Sequence, residues 1–93
     1  MSSIFKYPIQ IAGLQEINMP QYADIMSVQT QNGYPYIWAL VDPSRPLKKV
    51  VLKVFTTGGE VPDYLHKHHK FIGTFQTGEG FVGHLFQLLD IPS

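Results

Sequence analysis

The 93-residue sequence predicts a mainly β fold: a small antiparallel sheet or partly closed barrel of six to seven strands, with at most one short helical turn. Three observations lead there. Apolar and β-branched residues come in short runs bounded by Gly, Pro, Asn and Asp. Leu14 to Pro20 alternates, with Gln15, Ile17 and Met19 on one side and Glu16 and Asn18 on the other. Asn32-Gly33 stands between two such runs and is the strongest short hairpin signal, because both loop residues of a type I′ turn need positive φ.

The elements follow in chain order. Ile4 to Ile11 reads as a strand, and Pro8 confines it to a sheet edge or breaks it. Leu14 to Pro20 is the second strand. "DIMSVQTQ" and "YPYIWALV" are the arms of the Asn-Gly hairpin, and "KKVVLKVFTT" (Lys48 to Thr57) is the fifth strand. Pro62 to His66 is the one place for a helical turn, with proline at its first position. "KFIGTFQ" and "GFVGHLFQLL", joined by "TGEG", are the last two strands. A meander of hairpins, closing as a small barrel or packing on a copy of itself, accommodates this order.

The turn fixes a register. Gln31 faces Tyr34, Thr30 faces Pro35, Gln29 faces Tyr36, Val28 faces Ile37, Ser27 faces Trp38 and Met26 faces Ala39. One face then holds Met26, Val28, Ile37, Ala39 and Val41, the core side. The other holds Ser27, Gln29, Gln31, Tyr34, Tyr36 and Trp38 and carries no charge. Such a face suits a second core layer, a subunit interface, or a stacking platform for a flat ligand. Pro35 falls in a non-hydrogen-bonded pair, so its missing N–H points away from the hairpin partner.

The totals restrict partners. The chain is long enough for one domain, residues 1–93, with a modest core, which predicts gain from homo-oligomerisation as a dimer or tetramer. Seven basic residues balance seven acidic ones, with no basic stripe to track duplex nucleic acid. Without cysteine there is no disulfide and no Cys-type zinc site, which fits a reducing cytoplasm. Nothing reads as a signal peptide or as the roughly 20 apolar residues of a membrane span. The expectation is a soluble cytoplasmic protein.

Several stretches could contact a ligand. "FTTGGEVPD" runs a strand into Gly58-Gly59, where backbone N–H groups and Thr57 could form an anion nest or simply a turn. "DPSRPLKK" holds Arg45, the only arginine, with Lys48 and Lys49; it is either a solvated loop or a phosphate contact. His84 shares a strand face with Val82 and Phe86, as a hydrogen-bonded core residue or a ligand contact. "YLHKHHKF" gathers His66, His68 and His69 with Lys67 and Lys70, an exposed basic loop rather than a complete metal set; no metal or other cofactor is expected. The carboxylates are scattered singly and no nucleophile–base set is evident, so no catalytic residue is assigned and the chain reads as a non-enzyme.

"IFKYPI", "IMSVQTQNG", "WALVDP", "TGGEVPD", "FIGTFQ" and "GFVGHLF" together resemble a family of small tailed-phage proteins. The resemblance runs from about Ile4 to Phe86, with Trp38 to Pro43 and Phe71 to Gln76 its most specific parts. The "LHKHHK" stretch and Gly83 depart from that pattern and put a shared role of His84 in doubt. The resemblance implies overlap with viral anti-CBASS sponges, non-catalytic oligomers that sequester a host cyclic-oligonucleotide signal. On that reading Tyr36 and Trp38 stack on bases, Arg45, Lys48 and Thr57-Gly58-Gly59 meet phosphates, and a subunit interface encloses the ligand. The alternative is a β interaction module whose aromatic face binds itself or a phage or host protein.

Overall fold

A computed structural model describes residues 1–62 and 68–89. Among these the chain forms seven strands: β1 (Ser3–Pro8), β2 (Gly13–Pro20), β3 (Asp24–Gln31), β4 (Tyr34–Val41), β5 (Leu47–Thr56), β6 (His69–Gln76) and β7 (Val82–Leu88). They make two antiparallel sheets, ordered β1-β4-β3 and β2-β5-β7-β6. The helical turn expected from Pro62 to His66 falls on residues 63–66, outside the described residues.

The order is not a simple meander. Only β3–β4 and β6–β7 are hairpins; β1 crosses to β4 and β2 to β5. Alternation reveals which face of a strand is apolar but not which strand lies beside it. Two sheets bury both sets of apolar faces against each other. Ile25, Val28, Ile37, Ala39 and Val41 come from the first sheet, and Met19, Leu52, Val54, Phe75 and Leu85 from the second, forming one core cluster.

The Asn-Gly turn has the geometry its sequence demands, with φ of 54° at Asn32 and 78° at Gly33. Pairing follows the predicted register from Gln31↔Tyr34 through Ser27↔Trp38. There it breaks. Ile25, not Met26, pairs with Ala39, so Met26 is an extra residue in a β-bulge. Met26 is therefore exposed rather than on the core face, and Ile25 takes its place inside at 2% exposure.

Strand β1 is an edge, as Pro8 requires, and its ladder on β4 ends at Pro8↔Tyr36. One step further, Ile9 N–H donates to Pro35 O at 3.2 Å, but Pro35 has no N–H to return. The chain then leaves the sheet with Ile9 buried. The buried Gln15 closes this crossing: its Oε1 accepts from Gln10 N–H at 2.7 Å and its Nε2 donates to Gln10 O at 3.2 Å.

The sheets meet along β3 and β6. Lys70 Nζ reaches from β6 to Asp24 Oδ1 at 2.9 Å and donates to Ile25 O at 3.3 Å. A Cβ on Gly73 would lie 2.9 Å from Val28 Cγ1, so glycine permits the close approach. Strand β6 carries its own bulge between Phe71 and Gly73. Bulged edges twist away from open pairing, and here β3 and β6 approach through side chains while the two sheets stay separate.

Candidate binding site

The outer face of the three-stranded sheet is built by register. Tyr34, Tyr36 and Trp38 alternate along β4 and all point away from the core side that holds Pro35, Ile37 and Ala39. Their rings meet edge to face, Tyr34–Tyr36 at 5.7 Å and Tyr36–Trp38 at 6.4 Å between centroids. Gln29 and Ser27 stand opposite on β3. Strand β1 adds residues that hairpin reasoning alone did not supply: Lys6 opposite Trp38, and Ile4 opposite Leu40. Lys6 Nζ donates to Gln31 Oε1 at 2.9 Å and lies 4.7 Å from the Tyr36 ring centroid.

No described segment covers this face. Ile4, Met26, Tyr34 and Leu40 are 60%, 45%, 41% and 41% exposed. Ile4, Met26, Ser27, Gln29 and Trp38 line a shallow groove of about 310 Å3. The bulge at Met26 contributes one wall, turning an apolar side chain outward that regular pairing would have buried.

Arg45 and Lys48 sit elsewhere. Arg45 N–H donates to Asp42 O at 3.0 Å, closing the turn after β4, and its guanidinium lies 5.2 Å from the Tyr22 ring centroid. The Ser44 hydroxyl and backbone N–H both donate to Asp42 and hold its carboxyl below the ordinary carboxylate range. Lys48 is exposed near the start of β5, opposite Met19.

The Gly-Gly turn uses its Gly59 donor internally. Gly59 N–H donates to Thr56 O at 3.0 Å, with φ of 80° at Gly58, and a Cβ on Gly59 would lie 2.8 Å from Thr56 Oγ1. Thr57 Oγ1 is 2.8 Å from His84 Nε2, while Thr74 Oγ1 is 3.0 Å from His84 Nδ1. Both imidazole nitrogens are thus held by hydroxyls, each able to donate or accept. His84 lies on the outer face of the four-stranded sheet, opposite Phe55 and Thr74. It is a hydrogen-bonded, half-buried residue outside the core. Phe86, two residues on, shares this face with Phe55 and Phe71 at centroid distances of 5.6 and 5.2 Å, a second ring cluster that the sequence did not suggest as a unit.

The eight candidate residues therefore divide among three places. Tyr36 and Trp38 face outward from one sheet. Thr57, Gly58, Gly59 and His84 belong to the opposite outer face and its turn. Arg45 and Lys48 lie where β4 passes to β5. The core separates the first group from the second, so one protomer does not gather all eight around one ligand.

No helix among the described residues is long and apolar enough to cross a membrane. No curated protein and no solved structure matches the chain. A family model does match, over residues 1–91, and with every strand and turn described above inside that span, the chain belongs to the family of the domain of unknown function DUF7352.

Proposed function

We propose that this protein is a non-catalytic binding module that self-associates through the outer face of its three-stranded sheet. The observation that carries this reading is the uncovered row Tyr34, Tyr36, Trp38 with Gln29, Ser27, Ile4 and Leu40 around it. Tyrosine and tryptophan are enriched where proteins meet, and charges are depleted. The face has one charged group near its centre, Lys6, already held by Gln31 and Tyr36. Glutamine amides and tyrosine hydroxyls both donate and accept, so the surface can complement a twofold copy of itself. The zero formal net charge leaves no long-range repulsion to oppose the approach.

Sedimentation equilibrium over a concentration series tests this. Wild type should associate, and Trp38→Ala should weaken association by at least about tenfold, since central aromatic residues commonly carry 2 kcal/mol or more. A wild-type protein that stays monomeric at high concentration would overturn the reading.

The groove beside Trp38 favours a second reading. A ring, two polar side chains and apolar walls in about 310 Å3 suit one flat base. In that case the protein is a phage-encoded sponge in the host cytoplasm, holding a cyclic oligonucleotide between protomers, with Arg45 or Lys48 supplied by a neighbouring copy. Calorimetry against cyclic di- and trinucleotides separates the two readings: association without any nucleotide heat leaves only the interaction module.

A further inference from the structure

A different end of the molecule holds a cavity of about 500 Å3, lined by the β2–β3 turn, the start of β5 and the end of β7. It exists because the strands differ in reach. β7 pairs with β5 only as far as Leu88↔Val51, whereas β5 continues along β2 back to Leu47. From Leu47 to Val50, among the described residues, β5 has a strand on one side only.

Tyr22 lines this cavity in an unexpected conformation. Ala23 N–H donates to Pro20 O at 3.1 Å, which makes Pro20–Ala23 a β-turn. Tyr22 occupies its third position with φ of 67°, the left-handed geometry of a type II turn that normally calls for glycine or asparagine. Tyr22 is 77% exposed and so contributes little to the core. A bulky residue held in a disfavoured backbone region without a packing gain points to a role for the ring itself.

The surroundings are cationic. Arg45 lies over the Tyr22 ring at 5.2 Å, and Gln21 N–H to Pro46 O at 2.8 Å fastens the two loops together. Lys48 and Lys49 both line the cavity. Lys49 pairs with Glu16 at 3.0 Å, and Arg45 Nε is 3.8 Å from Asp42. Lys48 makes no ion pair among the described residues. Val50, Leu88 and the Gln87 amide supply apolar and hydrogen-bonding wall. The volume lies within the range of small-molecule sites.

We propose that this cavity binds a small phosphate-bearing molecule with a planar ring, its phosphate at Lys48 and its ring against Tyr22, which Arg45 backs from outside the cavity. Arginine and lysine beside an aromatic face are suited to those two groups together. The site does not use the outer face of the three-stranded sheet, so it stands or falls independently of self-association there.

ADP, pyrophosphate and adenosine are the probes, read by calorimetry and thermal shift on the full chain. ADP is expected to bind more tightly than pyrophosphate or adenosine. Lys48→Ala and Tyr22→Gly should each weaken ADP binding by about tenfold or more, while Trp38→Ala leaves it unchanged. Tyr22→Gly relieves the turn, so its ligand-free melting temperature should equal or exceed wild type, which separates lost binding from lost folding. The absence of heat with both ADP and pyrophosphate at millimolar concentration would overturn the proposal. So would undiminished ADP binding in both variants, or equal affinity for pyrophosphate and ADP, which would leave the ring without a part.

Discussion

A methyl group added at position 83 would fall 2.5 Å from Phe75 Cζ and 2.8 Å from Val54 Cγ1. Neither neighbour can withdraw easily, because both belong to the core. Gly83→Ala should therefore lower unfolding free energy by about 1–3 kcal/mol in denaturant titration. In the sequence Gly83 was only a departure from an expected bulky residue; the Phe75 ring packed across it explains the glycine, and no local pattern reveals that long-range contact. Gln15 tells a related story. Alternation placed it correctly on the side of Ile17 and Met19, yet an amide among apolar residues gave no hint of its partner, which is the Gln10 backbone. Gln15→Leu keeps the volume but leaves a backbone N–H and C=O without these bonds, and should cost about 1–3 kcal/mol by the same measurement.

At the scale of elements, the β3–β4 hairpin was legible because its turn chemistry is local. Asn32 and Gly33 set the first five pairs, and these place Tyr36 and Trp38 away from Val28 and Ile37. The bulge was not legible, since Ile25 and Met26 are adjacent apolar residues and either could fill the inner position. Their substitutions separate the two registers. Ile25→Ala should cost about 2–5 kcal/mol as a cavity forms, whereas Met26→Ala should stay within about 0.5 kcal/mol. The reverse order would restore the unbulged pairing. In the β4–β5 turn, Asp42 accepts two bonds from Ser44 as a carboxylate, and its pKa is lowered in the folded state. Its contribution is present above the unfolded carboxylate pKa and is lost as pH falls through the lower folded value. The melting temperature of wild type should thus exceed that of Asp42→Ala near neutral pH, and the gap should close under strongly acidic conditions.

For the whole molecule, strand number and hairpin neighbours could be read from the sequence, but long-range strand neighbours could not. Pairing of β1 with β4 and β2 with β5 spans the chain and leaves no local signature. That pairing decides which candidate residues share a face more than any motif does. It adds Ile4 and Lys6 to the aromatic face, sends His84 and the Gly-Gly turn to the far side, and gathers Arg45 and Lys48 near Tyr22. The chain has a single tryptophan, Trp38, half-buried in the protomer and central to the proposed contact. Acrylamide quenching of its fluorescence, followed as the protein is diluted alongside its sedimentation mass, tests self-association through this face most directly. The expected result is a ring shielded in the associated state that becomes more quenchable as the mass falls. An oligomer whose Trp38 is quenched equally at every concentration would contradict it, placing the contact on another surface.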